Sequence, residues 1–468
     1  MRCLKCGNEN PAGAECCNLC GSEFESGVCE KGGKEVKRSK IKSAVLKTLK
    51  YSMNVLIVFA LILLPLYAVI RAVWRSDAPP LEDDYTIADF RSAPAECVPS
   101  YKFLKSISEK NEHAPGAPEI GLSEEDVNVV IKVKEDIREG SYAEIVDSIK
   151  ENAEGIEEAW RNGQKGKDII FELNRFEEIA DLSQPIWEVK SMFLSNLRTL
   201  VHLYQAHTYL EIIRSNEREA VAALIEIDSI FRKWSVNARS AITKYICYAV
   251  LNLDITTANF IVNNPGTSQE TLELLAGHFE AFSEEQMSLR NMMIFEYLTW
   301  KNIYDTQIIG DSKMAFLLKW NSTLRLYKNH IDELVYRAEG KEQADSEKLS
   351  VWPRFWPFKM DVELDSEGNL PTIYTFYNNM GAISLLTIPA LERAFEIRAR
   401  LEVHSDLLQI VLGKRLGKEV SLKARAYSDE YIIDIEEGII YSPGPDGESH
   451  TEDDIKLMIN PEVLGLVE

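Results

Sequence analysis

The chain has 468 residues, with 52 Lys or Arg against 74 Asp or Glu, a formal charge of −22, and eight cysteines. That length holds two or three domains, each large enough to bury a core, and the sparse cysteines exclude a disulfide-stapled scaffold. The acidic excess is unsuited to nucleic acid, although it attracts divalent cations or basic partners. The two signs are segregated, because residues 1–76 carry 12 basic and 6 acidic side chains and leave 40 basic against 68 acidic beyond them.

Residues 1–24 open with Cys3-x2-Cys6 and Cys17-x2-Cys20. Each pair can sit on a tight turn that points two sulfurs at one ion, and two such turns complete a tetrahedral thiolate site for zinc. Gly7 and Gly21 follow the second sulfur of each pair, where the turn needs a residue tolerant of positive φ. So short a segment cannot bury enough apolar surface to fold alone, so the metal would supply most of its folding free energy. Cys16 adjoins Cys17, which leaves the third ligand open by one residue; Cys17 repeats the first spacing. A disulfide cluster is the alternative, and the basic flank that marks a reducing side argues against it. Cys29 stands outside the pattern and reads as a free thiol. The stretch MRCLKCGNENPAGAECCNLCG resembles the short zinc ribbons at the N-termini of many bacterial membrane proteins, with Asn10-Pro11 joining the two knuckles.

Residues 25–52 form a basic linker, with Lys31, Lys34, Lys37, Arg38, Lys40, Lys42, Lys47 and Lys50. Such a stretch is drawn to anionic headgroups, or serves as a nucleic-acid or partner-docking arm. Met53 to Ile70 then runs for eighteen residues without a charge. At roughly 1.5 Å per residue this nearly spans a hydrocarbon core, and Arg71 and Trp74 extend it, which predicts a transmembrane helix over 53–74. The basic residues precede the helix, so the bias of positive charge places the ribbon in the cytoplasm and the acidic bulk outside a bacterial inner membrane.

Residues 75–120 are rich in Pro and Ala and read as a semi-extended stalk. From Leu122-Ser123-Glu124-Glu125, an N-cap with acids in the first turn, helical periodicity runs through 121–345. The predicted helices are 127–138, 186–214, 217–230, 238–260, 269–282, 284–304 and 314–337, an all-helical exported domain with antiparallel packing. Asn263-Asn264-Pro265-Gly266 marks one turn between them, and Cys247 reads as a buried thiol. A charged link over 339–350 leads to an aromatic run, Val351 to Phe358, that docks on a partner, a lipid surface or the neighbouring domain. Residues 351–468 read as a small α+β module with a helix over 375–412, a hairpin turning at Glu437-Gly438, and a further strand over 455–459. The fold class is therefore multidomain and mainly α.

The loop Ser442 to Ile455, with Gly444-Pro445-Asp446-Gly447 closing on Asp453-Asp454-Ile455, is similar in its setting to the globular head of the major pseudopilins of type II secretion. That resemblance implies calcium, for which Asp446, Asp453 and Asp454 with the Thr451 or Ser442 hydroxyl could furnish oxygens. A surface turn without metal is the competing reading. The ribbon, the inserted helical domain and the missing Tyr-Pro element depart from that family and exclude a pilus subunit.

Seven histidines are scattered; His202 and His207 lie poorly placed to share a metal, and His207 with Glu211 share a face but make only a pair. There is no Gly-x-Ser-x-Gly elbow, His-Glu-x-x-His, phosphate loop or dinucleotide fingerprint. The expected role is a protein-binding scaffold, anchor or transmembrane coupling factor with protein partners on one or both sides of the membrane. The alternatives are a tethered exported hydrolase and an accessory of a secretion or pilus machine.

Overall fold

The computed structural model describes residues 2–12, 14, 16–22, 51, 58–59, 61–66, 80–90, 97–111, 120–139, 142–185, 194–309, 320–339, 349–351, 360–362 and 391–467. The chain divides into two compact units, Met1–Ser76 with Pro353–Trp356, and Asp77–Trp352 with Pro357–Glu468.

The first unit holds the two cysteine turns. In the apolar segment, residues 58–59 and 61–66 are helical, and Val58, Phe59, Leu61, Ile62, Leu63, Leu64 and Leu66 are 48–67% exposed. The other residues of the predicted 53–74 span, and the basic linker except for Tyr51, lie outside the described residues, as does Cys29.

The second unit is mainly helical. Its helices are α1 (Cys97–Asn111), α2 (Glu124–Glu139), α3 (Tyr142–Glu151), α4 (Ala153–Asn162), α5 (Gln164–Asn174), α6 (Leu194–Ile213), α7 (Glu217–Asn237), α8 (Ala241–Asn263), α9 (Gln269–His278), α10 (Glu284–Met287), α11 (Arg290–Ile303), α12 (Trp320–Ala338) and α13 (Arg393–Arg415). Starts are set by side-chain caps. Ser123 and Asp126 close a reciprocal box on α2 (2.8 and 3.1 Å), Ser240 accepts from the Thr243 amide on α8, and Ser283 with Gln286 boxes α10.

The core forms around α8. Its apolar residues run round most of the cylinder, so it must be covered on several faces. Helices α6, α7, α11 and α13 and strand β5 (Ile455–Met458) supply that cover. Among the described residues α8 is the one helix long and apolar enough to cross a membrane, and 67% of its apolar stretch is buried inside the protein. It ends at the expected Asn-Asn-Pro-Gly turn, where Asn264 takes the Gly266 and Thr267 amides. Cys247 is fully buried, and burial pushes its thiol up to about 12.

Strands β1 (Leu349–Val351) and β2 (Met360–Val362) pair antiparallel. A three-stranded antiparallel sheet joins β3 (Ile432–Asp434), β4 (Ile439–Ser442) and β5, with Ile440 opposite Ile433 and Leu457. The hairpin turns at Gly438, whose φ of +65° explains the glycine. Ile455 and Leu457 are buried while Lys456 is exposed, the two-residue alternation of a half-covered strand.

Three expectations need correction. The stretch read as a stalk contains α1, and its residues 80–90 lie on the helical domain. Asp84 accepts from the Tyr297 hydroxyl (2.5 Å) and pairs with Lys301, Tyr85 donates to Asp332 (2.7 Å), and Phe90 packs on Phe295. The Pro/Ala pattern hid these anchors, whose burial is tertiary. The C-terminal module is not separate, since α13 packs along α8, and Asn259 and Asn263 donate to the Met458 carbonyl (2.7 and 3.2 Å). The helix expected over 284–304 is broken at Ser288-Leu289 into α10 and α11. For the helix expected over 375–412, residues 375–390 lie outside the described residues.

Buried ionisable groups in this unit hold chain segments together. Asp181 accepts from the Thr243 hydroxyl (3.0 Å) and the Ser240 amide (3.4 Å) at the start of α8. Lys244 donates to the Ser235 and Gln286 carbonyls. Asp228 takes Arg232 (2.6 Å) and His278 (2.7 Å).

Candidate metal centre

Two short segments of the first unit are folded alike. The Cys3 amide donates to the Asn8 carbonyl (2.8 Å) and the Gly7 amide returns to the Cys3 carbonyl (2.8 Å). In the second copy Cys17 donates to Ser22 (2.9 Å) and Gly21 to Cys17 (2.9 Å). Gly7 and Gly21 have φ of +74° and +71°, so each chain reversal depends on a residue without a Cβ.

The two turns face each other and gather Cys3, Cys6, Cys17 and Cys20, whose sulfurs all lie within 4.8 Å of one another. Cys3 and Cys20 are 3.6 Å apart, and Cys6 and Cys17 3.5 Å. Four sulfurs about 2.3 Å from one tetrahedral ion would be separated by roughly 3.8 Å, so the spacing and the donor set fit a single thiophilic ion. Cys16, half-buried beside Cys17, is not one of the four.

An outer layer of polar groups supports the sulfurs. The Ser22 hydroxyl lies 3.1 Å from Cys3 Sγ and 3.0 Å from Cys20 Sγ. Asn10 points Nδ2 at Cys17 Sγ (3.5 Å) while its Oδ1 accepts from the Asn18 amide (2.9 Å), which ties the two turns together. The Ser22 hydrogen bond, with backbone amides, draws the Cys3 thiol down to about 6. Cys17 is lowered chiefly by a backbone hydrogen bond at Cys20. Cys6 behaves oppositely. A backbone bond at Asn8 pulls it down, but the crowded sulfurs of Cys20, Cys17 and Cys3 and local burial carry it up to about 12. Thiolates packed this closely repel, and a bound cation removes that repulsion.

Sequence reasoning found the four cysteines and missed Ser22 and Asn10. Asn10 was visible as part of the join between knuckles; Ser22 has no motif of its own and is placed only by the second turn.

The C-terminal loop carboxylates are turned to backbone groups. Asp453 accepts from the Asp446 amide (3.1 Å) and the Thr451 hydroxyl (2.6 Å). Asp454 accepts from the His450 amide (2.9 Å) and faces Lys456 Nζ (3.3 Å), and Asp446 accepts from the Glu448 amide (2.8 Å). Asp446, Asp453 and Asp454 do not form one of the ligand groups found among the described residues; the group in this region is Asp434, Glu437 and His450, on the surface beside the hairpin.

The helical histidines are structural in setting. His207 stacks on Trp160 (centroids 3.8 Å, 14°) with Nε2 3.8 Å from Glu211. Burial pushes both His202 and His207 down to about 4, so both rings are neutral at pH 7. No protein-family model, no curated protein and no solved structure matches this chain.

Proposed function

We propose that the chain is a single-pass protein of a bacterial inner membrane, with a zinc-loaded knob in the cytoplasm and an acidic helical domain outside, acting by binding other proteins rather than by catalysis. The observation that carries this reading is the convergence of four sulfurs from two like turns, in a chain that continues through eight basic residues into an uncharged apolar run. Zinc is the ion that four thiolates at these spacings suit without redox chemistry. Eight basic residues before the apolar run against Arg71 and Arg75 after it give the orientation.

Two further observations support binding as the role. Leu4 and Leu19, each between the two cysteines of its own pair, are 105% and 72% exposed, which presents a pair of apolar tips to a partner. In the helical domain, Lys244 is engaged with the Ser235 and Gln286 carbonyls, Asp181 with the start of α8, and Asp228 with Arg232 and His278.

The test is topology together with metal content. Purified full-length chain carries one zinc, and protease added to intact spheroplasts removes the helical domain while sparing the knob. A photo-crosslinker at Leu4 or Leu19 captures a cytoplasmic protein, and Cys3→Ser abolishes that capture. Protection of the helical domain from external protease overturns the orientation, and a zinc-free chain overturns the metal.

A further inference from the structure

A cavity of about 160 Å³ opens where α3, α6 and α8 meet the chain just after β5. Its floor is buried and consists of Tyr209, Phe260, Asn259 and Asn263; half-buried Tyr142 and Thr256 stand at its mouth. The Tyr142 ring stacks on Phe260 (centroids 4.8 Å, 24°), and Tyr209 leans on the same ring (4.3 Å, 42°). The wall is thus already built from ring faces.

The Asn259, Asn263 and Thr256 side chains that line it are hydrogen-bonded within the protein. Asn259 Nδ2 donates to the Met458 carbonyl (2.7 Å), and Asn263 Nδ2 to that carbonyl (3.2 Å) and to Asn259 Oδ1 (3.0 Å). Asn263 Oδ1 accepts from the Asn460 amide (2.6 Å), and Thr256 donates to the Asn252 carbonyl (3.0 Å). No lining residue is charged. An ionic ligand would therefore lose its water and meet no opposite charge. A dry apolar cavity of roughly 150 Å³ accepts a benzene-sized guest, so the space matches one ring.

We propose that this cavity is a binding site for an uncharged single-ring aromatic molecule. The ring lies against Phe260 and Tyr142 by offset or edge contacts. Because the floor comes from helices and the rim from the segment after β5, the occupant fastens the C-terminal end of the chain to the helical core. The site is independent of the membrane orientation and of the metal.

The experiment uses the full-length chain in lipid nanodiscs, titrated with 4-fluorophenol and followed by fluorine NMR, with 4-fluorobenzoate as the charged counterpart. Wild type is expected to bind fluorophenol saturably, one per chain, and fluorobenzoate at least tenfold more weakly. Thr256→Phe fills the mouth without removing a bond between elements, and saturable binding should vanish. Should Thr256→Phe fail to fold, Tyr142→Ala decides the matter, with an affinity loss of threefold or more expected. Equal binding of the two probes, no saturable component in wild type, or undiminished binding in a folded variant overturns the proposal.

Discussion

Lys244 donates to the Ser235 carbonyl at 2.5 Å from a position wholly closed to solvent, holding the end of α7 against the start of α8. The Gln286 carbonyl of α10 takes a second N–H at 2.8 Å, and the Tyr248 ring lies 4.9 Å from the nitrogen. Burial draws this amine down to about 7 from 10.5. Below pH 7 it is charged in the folded and unfolded chains alike. Between about 7 and 10.5 the unfolded chain holds a proton that the folded one has released, so stability from this group rises with pH by up to ~1.4 kcal/mol per unit. Lys244→Met removes that rise and leaves two carbonyls without a donor, at about 1–3 kcal/mol. Denaturant melts at pH 6, 8 and 10 should show the variant falling further behind wild type as pH increases; a gap independent of pH refutes the assignment.

At the metal centre, Cys17→Ser should abolish stoichiometric zinc binding while Cys16→Ser retains it, read by metal analysis of the purified chain. Ser22→Ala leaves four ligands but removes the hydroxyl shared by Cys3 and Cys20. Loss of such an outer group weakens metal binding about 10–100-fold, which a chelator competition measures. Wild-type affinity in Ser22→Ala would show that the hydroxyl is a bystander.

Two glycines test helix packing in opposite directions. A Cβ on Gly166 of α5 would fall 2.1 Å from Leu200 Cδ2 of α6, so Gly166→Ala should cost about 1–3 kcal/mol through overpacking. A Cβ on Gly277, exposed in the last turn of α9, meets nothing within 4 Å. Gly277→Ala should therefore stabilise by about 0.4–1 kcal/mol. Thermal melts give both signs, and a stabilised Gly166→Ala would mean that α5 and α6 do not approach this closely.

Asn263→Ala removes a donor to the Met458 carbonyl and the acceptor for the Asn460 amide together. The expected loss is about 1–3 kcal/mol per buried group left unpaired, and it should fall on the C-terminal end first. Limited proteolysis should nick the variant after β5 before it cuts α8. Simultaneous cleavage throughout would show that the two regions unfold as one.

The parts of this architecture written in local chemistry were legible. Cys-x-x-Cys-Gly fixes a turn within a few residues, Asn-Asn-Pro-Gly ends a helix, and Glu437-Gly438 reverses a strand. Sequence periodicity found α2 within a few residues of both ends. The helices α3, α4 and α5 escaped: Gly155 and Gly166 lower helix propensity inside α4 and α5, yet Gly155 faces Val129, Gly163 faces Leu203 and Gly166 faces Leu200, packing that only the fold reveals. α1 and the 80–90 segment were invisible for a related reason. Phe90, Cys97 and Leu104 are buried by distant residues, and no local pattern announces a distant partner. The four-cysteine cluster, which could hold a metal ion, was legible from spacing, but the Ser22 hydroxyl beside it was not.

The bonds from Asn259 and Asn263 to Met458 join residues 199 and 195 positions apart. The most apolar helix of the domain thus gains its last cover only when nearly the whole polypeptide has been made. Until then a segment hydrophobic and long enough to be mistaken for a membrane span travels uncovered. That interval is when a holding chaperone would be needed and when a stalled nascent chain would be most prone to aggregate.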